Sequence, residues 1–238
     1  MARGISFIIT GSAAPLRKAI KEASDSLAGM SKSATIAFGA AAAATTLFAT
    51  QAIQSAADDQ KQQAILAQTL RNTTGATTQQ IAAVEGLIGA MQTQVAFTDT
   101  ELRAAYQNLA VGTGSLTTAQ NLLTLTLDVS TATQRDAASV ADALAKGYQG
   151  NMKALAQLSP ELKTAIKNGA DFNDVVQILA DNFGGAATTE AGTFAGQMAI
   201  LSNQTDEAKE AIGNALIPVV ELLLPKLKDM AVFVGQNA

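Results

Sequence analysis

The sequence predicts an all-α protein, an extended multi-helix assembly of long Ala-rich helices with at most one short strand near the N-terminus. Aromatic residues make up only 4% of the 238 residues, and Trp is absent. Charged residues make up 15%, below the usual share of about a quarter, and Ala, Thr, Gln, Asn and Ser replace them. The apolar residues recur mostly with helical spacing. This composition favours helices packed closely along their length over a core built around aromatic anchors.

The N-terminal part gives the one strand signal. In the segment ISFIIT, residues 5–10, apolar and polar residues partly alternate, which predicts a short strand. Residues 1–32 are predicted to contain this strand and a basic amphipathic helix. Residues 33–72 carry little charge in their first half and are predicted to form one long Ala-rich apolar helix.

The middle of the chain, residues 73–182, is predicted to be a domain of several short amphipathic helices. Turn-forming residues separate them, and some of these also favour helix starts. Thr98 or Asp99 followed by Glu101 places a capping oxygen and an early carboxylate where free N–H groups need them. The same reasoning predicts a helix start at 159–162, SPEL.

The C-terminal part, residues 183–238, is predicted to contain one long helix interrupted by Pro218 and Pro225, where we expect bends. The glycine-rich segment 182–192 is the best internal boundary. Within the helix, six apolar residues are spaced 4, 3, 4, 3 and 4, which indicates a heptad seam. We expect this seam to join copies of the chain or to bind a partner, with folding back onto its own helices as the alternative. The seam consists of Leu216, Val220, Leu223, Leu227, Met230 and Val234.

Residues 34–57 form an uncharged run that is long enough to cross a bilayer, which takes about 20 helical residues. Alanine dominates the run, however, and leucine-class residues contribute only about half a kcal/mol each to insertion. We therefore favour close packing against other helices, with membrane insertion as the alternative. Either role would depend on the large apolar residues Ile36, Phe38, Leu47, Phe48 and Ile53.

The sequence contains no signal for catalysis. There is no Cys and no His, so thiol nucleophiles, the usual zinc sites and a Ser–His triad are excluded. The net charge of −4 offers no basic surface for sequence-specific nucleic-acid binding. We predict a non-enzyme without catalytic residues, cofactor or metal, and interpret its carboxylate pairs as solvated helix faces. These pairs are Asp58 with Asp59, Asp99 with Glu101, Asp171 with Asp174, and Glu207 with Glu210.

Four segments in a fixed order carry a family resemblance. They are AADDQKQQAILAQTLRNTTGAT (56–77), the segment 97–136 that begins FTDTELRAAYQNLAVGTGS, VADALAKGYQGNMKALAQLSPEL (140–162), and the segment 183–227 that ends IGNALIPVVELLLPKL. In this order, the segments resemble the N-terminal region of phage tail tape measure proteins. No single motif is specific, and the joint order carries the resemblance.

The resemblance implies a structural virion protein in the lumen of the tail tube. Such a protein sets tail length during tube assembly and leaves ahead of DNA at infection, when it can aid passage through the host membrane. The implied partners are copies of itself, as in a trimer, the tail tube protein, distal baseplate or tip proteins, and a tail assembly chaperone. Synthesis in the host cytoplasm is implied, and the apolar core at residues 5–9 is too short for a signal peptide.

Two other classes remain open at this stage. One is a membrane-active, pore-forming helical protein, and the other is a self-assembling exported subunit of a helical filament. Even a fully helical chain of this length would reach only about 360 Å, at 1.5 Å per residue. We therefore expect either a fragment of a longer tape measure protein or the whole ruler of a very short tail.

Overall fold

A computed structural model describes the backbone of residues 32–237 and the side chains of residues 48–218 and 221. The chain divides into two compact units, residues 1–50 and residues 51–238. Every regular element within residues 32–237 is a helix, which confirms the predicted all-α class. The predicted strand at residues 5–10 and the basic helix expected to follow it lie outside the described residues.

Ten helices account for most of the described backbone. They are α1 (Lys32–Thr74), α2 (Thr78–Gln92), α3 (Asp99–Thr113), α4 (Leu116–Thr133), α5 (Ala137–Tyr148), α6 (Met152–Leu155), α7 (Pro160–Lys167), α8 (Phe172–Phe183), α9 (Ala186–Ala191) and α10 (Phe194–Asn237). The long Ala-rich helix α1 is therefore present. Helix α10 includes Pro218 and Pro225 within its bounds, and the bends expected at these residues stay a prediction.

Local side-chain chemistry determines where several helices begin. Thr98 and Glu101 form a capping box at the start of α3: the Glu101 amide donates to Thr98 Oγ1 over 3.2 Å, and the Thr98 amide donates to Glu101 Oε2 over 2.8 Å. Ser159 caps α7, with Pro160 in its first turn. Both starts confirm the sequence prediction, because an N-cap depends on residues only three positions apart.

Helix α3 lies at the centre of the second unit, where it packs against α2, α4 and α5. One contiguous core surrounds it, although the composition had argued against a globular core. Leucine supplies most of the volume that aromatic residues usually provide, and Ala105, Ala110 and Ala141 allow close helix approach. The largest fully buried side chains are Tyr106, Leu66, Leu70, Ile88, Leu102, Leu109, Leu123, Leu127, Leu144, Leu155, Leu162 and Leu179.

A buried carboxylate attaches the glycine-rich segment 182–192 to the core. Asp128, in the middle of α4, accepts hydrogen bonds from the backbone amides of Gly185 and Ala187, each over 3.0 Å. Gly185 has a φ of 83°, a conformation that favours glycine. Asp128 thereby satisfies two free amide groups at the start of α9 that the short helix does not satisfy itself. This contact lies within the segment predicted as an internal boundary.

Helix α10 packs on the second unit through a close backbone approach and three side-chain hydrogen bonds. A Cβ atom added to Gly213 would lie 1.9 Å from the Ala52 carbonyl oxygen of α1. Three donors complete the contact: Asn203 Nδ2 to Phe97 O over 3.0 Å, Gln92 Nε2 to Glu207 Oε1 over 3.0 Å, and Gln60 Nε2 to Asn214 Oδ1 over 2.7 Å.

Because the Gly213 approach involves backbone, it cannot relax by a rotamer change. We expect Gly213→Ala to lower the free energy of unfolding by about 1–3 kcal/mol, the usual cost of overpacking. Hydrogen exchange of the α10 amides should accelerate as well. The control is Gly89→Ala in α2, where an added Cβ meets nothing within 4 Å. This control should stabilise the protein by about 0.5–1 kcal/mol through helix propensity. A neutral Gly213→Ala variant would contradict the described approach of α10 to α1.

Candidate functional site at a buried charge cluster

A buried arginine lies on the inward face of α3, close in sequence to a buried leucine and a buried tyrosine. Arg103 is only 7% exposed and follows Leu102, while Tyr106 comes one turn later. Helical spacing directs all three toward the core. An isolated buried guanidinium would be very costly, so its partners decide whether this arrangement is stable.

Three carboxylates from three helices surround the Arg103 guanidinium. Nη1 lies 2.7 Å from Asp59 Oδ1 of α1 and also contacts Asp99 of α3, one turn earlier. Nε donates to Glu85 Oε2 of α2 over 3.0 Å. Burial lowers the pKa of Arg103, but the hydrogen bond that Arg103 donates to Glu85 and the three negative charges outweigh it and raise the pKa overall. Arg103 therefore stays charged and links three helices.

A fourth carboxylate, Glu210, brings α10 to the same place. The carboxylate oxygens of Asp59, Asp99 and Glu210 lie within 4.8 Å of one another. Burial, together with the charges of Asp59, Asp99 and Glu207, raises the pKa of Glu210 from its usual 4.5 to about 7. Burial also raises the pKa of Asp59, against the lowering effect of Arg103. We name Asp59, Glu85, Asp99, Arg103 and Glu210 the charge cluster.

The charge cluster contains four carboxylates and one cation, which limits what it can bind. Oxygen ligands so close together are of the type that Mg²⁺ and Ca²⁺ prefer. Arg103 Nη1, however, already contacts both Asp59 and Asp99, so a metal ion would have to sit against a guanidinium. A proton on Glu210 relieves the same repulsion at lower cost. The arrangement therefore suits a proton-dependent contact between α10 and the core.

The structure corrects the sequence interpretation of two carboxylates. Asp59 and Asp99 were predicted to lie on solvated faces, yet each is only 8% exposed. Both can be buried because each contacts Arg103. Arg103 is far from Asp59 in the sequence. Arg103 and Glu85 were not identified from the sequence at all. The only local signal was the spacing of Asp99 and Arg103, which places opposite charges one helical turn apart.

The remaining predicted carboxylates cap helices, join α10 to the core or face solvent. Asp171 and Asp174 form a capping box at the start of α8, and Glu101 completes the box of α3. Glu207 accepts from Gln92 and contributes to the contact of α10. Asp58 is exposed, as predicted.

The predicted apolar sites are only partly described. In the first unit, the Phe48 side chain is 41% exposed. In the second unit, Ile53 and Leu216 are half-buried. Neither Ile53 nor Leu216 belongs to the charge cluster. The side chains of the remaining predicted residues, Ile36, Phe38, Leu47, Val220, Leu223, Leu227, Met230 and Val234, lie outside the described residues.

A surface groove of about 570 Å³ lies between α5 and α6. Arg135, Lys146 and Lys153 line it, along with Asp136 and Asp142. Lys146 is already paired with Asp142 over 2.6 Å. The groove is open to solvent and shares no residue with the charge cluster.

Comparisons with protein-family models, curated proteins and solved structures find no match to this chain. Among the helices within residues 32–237, none has the length and apolar character required to span a bilayer.

Removing the Arg103 guanidinium, which three carboxylates share, should lower the stability of the protein strongly. We expect Arg103→Leu to lower the free energy of unfolding by about 3–5 kcal/mol, since it leaves buried carboxylates without their partner. Urea-induced unfolding followed by circular dichroism measures this change. The control is Arg135→Leu, because the exposed Arg135 guanidinium donates to Gln157 O over 2.9 Å and its loss should cost less than about 1 kcal/mol, as is usual at surface positions. Equal losses for the two variants would argue against a central role for Arg103.

The charge cluster should also make stability depend on pH. Between pH 4.5 and about 7, native Glu210 holds a proton that the unfolded chain releases. Its contribution to stability is therefore complete below this window and is lost as the pH rises through it. The raised pKa of Asp59 acts in the same direction.

We expect Glu210→Gln, which mimics the protonated form, to reduce the fall in melting temperature between pH 5 and pH 8. The control is Glu190→Gln, at an exposed position on α9. Thermal unfolding at the two pH values provides the measurement. If both variants keep the full fall of the unmodified protein, Glu210 is not the responsible group.

Proposed function

We propose that this chain is a structural protein of a phage tail, a tape measure that lies in the lumen of the tail tube. It sets tail length while the tube assembles around it and leaves ahead of DNA at infection. The observation that carries the proposal is the order of the four segments 56–77, 97–136, 140–162 and 183–227, which resembles that of the tape measure family.

The way in which these segments fold supports the proposal. They contribute residues to α1 and to α3 to α10, so they account for most of the second unit. Their residues also build its interior, including Leu70, Leu102, Leu123 and Leu144. The charge cluster joins the first, second and fourth segments through Asp59, Arg103 and Glu210. A resemblance in four separate segments is more informative when the segments form one body.

The proposed role is structural and not catalytic. The charged side chains of the cluster are engaged with one another, and the buried contacts serve to hold helices together. The partners we propose are copies of this chain, the tail tube protein, distal baseplate or tip proteins, and a tail assembly chaperone. Contact with the host membrane during ejection belongs to the same proposal.

Tail length provides the direct test. We expect the chain to be present in purified tails of the phage or particle that encodes it, by mass spectrometry. Insertion of 42 helix-forming residues after Asn237 should lengthen the tail by about 60 Å, at 1.5 Å per residue. Negative-stain electron microscopy resolves such a difference as an average over many tails.

The matched control inserts 42 Gly and Ser residues at the same place, which form no helix of defined rise. Tails of unchanged length with the helical insertion would overturn the ruler role. A chain that is absent from tails and sediments with liposomes would favour the membrane-active alternative instead.

A further inference from the structure

Helix α10 lies beside the hydrophobic core of the second unit and not within it. That core extends from Leu66 of α1 to Ala187 of α9, and no side chain of α10 at positions 194–218 takes part in it. In the same range of positions, Ile200 is the only apolar side chain of α10 that is buried. The packing of the leucine-rich core therefore does not require α10 to stay in place.

The contacts that attach α10 to its neighbours are mostly polar or small. Glu207 and Asn214, which accept hydrogen bonds from α2 and α1, are both exposed. Water can replace the lost partner of an exposed polar group, so separating such a pair costs little. Asn203 adds one buried hydrogen bond, and Gly213 lies against Ala52 of α1. The attachment is therefore weak enough for one charge to control it.

Glu210 is the attachment residue whose charge conflicts with the site it enters. Its carboxylate lies within 4.8 Å of those of Asp59 and Asp99. Arg103 already contacts both of these carboxylates, and Glu210 forms no ion pair of its own within the described residues. An ionised Glu210 therefore faces two like charges without a cation to itself. A proton removes this repulsion and gives the carboxyl group a hydrogen to donate.

The other charged groups on the helices around Glu210 do not reverse this balance. They are Asp58 and Lys61 on α1, Glu85 on α2, Glu101 on α3, Glu190 on α9, and Asp206, Glu207 and Lys209 on α10. Glu207 adds to the repulsion, whereas Lys209 is paired with Asp206 over 2.6 Å and Lys61 is exposed. Arg103 lowers the pKa of Glu210, but burial and the surrounding carboxylates outweigh it.

We propose that α10 is a proton-controlled arm, which docks on α1, α2 and α3 while Glu210 is protonated and leaves them, with the hydrophobic core intact, when Glu210 ionises. Docking raises the pKa of Glu210, so the docked state holds the proton more tightly and a rising pH favours release. Release uncovers the α1 surface at Ala52 and Ala56, which are fully buried under the docked arm. This device does not depend on a role in phage tails.

Hydrogen exchange of the full chain tests the pH dependence, read by mass spectrometry on peptides from α10 and α4. We expect the protection of the α10 amides, corrected for the intrinsic exchange rate, to fall at least about tenfold between pH 5 and pH 8. A rise in the pKa of Glu210 from 4.5 to about 7 would permit a larger change, but solvent screening reduces it at a partly exposed carboxylate. Equal protection at the two pH values would overturn the proposal.

Urea distinguishes release of α10 from unfolding of the whole unit. Release exposes little surface, so the exchange of α10 amides at pH 8 should depend only weakly on low urea concentrations. The amides of α4, which carries the core residues Leu123 and Leu127, should be better protected and should respond steeply to urea. If α10 and α4 share one protection and one urea slope, α10 opens only by global unfolding and the proposal is wrong.

The variant Glu210→Gln identifies the responsible group. It keeps the shape of the protonated side chain and should remove most of the fall in α10 protection between pH 5 and pH 8. Glu190→Gln, at an exposed position on α9, is the matched control and should keep the fall. A fall that survives in Glu210→Gln would contradict control by this residue.

A covalent link between α1 and α10 tests whether the helix must leave α1. Gln60 and Asn214 hydrogen-bond across this contact over 2.7 Å, and the chain has no cysteine of its own. In Q60C/N214C joined by a short bismaleimide, α10 should regain at pH 8 most of the protection that it has at pH 5. The untreated double variant is the control. Equal exchange with and without the link would show that α10 frays in place, which overturns release as a unit.

Discussion

The buried guanidinium of Arg103 is the constraint on which the second unit depends. Asp59, Glu85 and Asp99 contact it from three helices, so none of these helices can slide without leaving a charge unpaired in the interior. Buried ion pairs contribute little net stability compared with apolar packing, but their loss is expensive. The cluster therefore acts chiefly on specificity: it selects one register of α1, α2 and α3 from the many that a core of leucine and alanine would accept.

Close backbone packing and a buried hydrogen bond hold helix α10 to this core, whereas excess negative charge works against the contact. Gly213 permits a backbone approach that no other residue would allow, and Asn203 adds a buried hydrogen bond. Against these contacts, Glu210 adds a fourth carboxylate to a site with one cation. Burial and the neighbouring carboxylates raise the pKa of Glu210, because a proton on Glu210 removes the excess negative charge. The contact between α10 and the core therefore weakens as the pH rises through the pKa of Glu210, about 7.

The structural features that depend on residues close together in the sequence, such as helix starts, were predicted correctly. The starts of α3 and α7 follow from Thr98 and Ser159, because capping acts over three or four positions. The charge cluster could not be predicted, since Asp59 and Arg103 are 44 positions apart and a buried carboxylate has the same local pattern as a solvated one. The tertiary cap made by Asp128 on α9 escaped prediction for the same reason. Long-range polar pairing leaves no periodic signal.

The distribution of residues around α10 departs from that of an ordinary surface helix. A surface helix normally directs its apolar stripe to the core and its charges to water. Here Glu210 and Asn203 face the core, whereas Phe194 and Leu201 face solvent. Side chains of this size gain about 1.5–3 kcal/mol each when they leave water. Within the described part of the chain, most of this gain is not realised at Phe194 and Leu201. The inner face, with Ile200, Asn203 and Glu210, attaches α10 to the core, while Phe194 and Leu201 on the outer face stay more than half exposed.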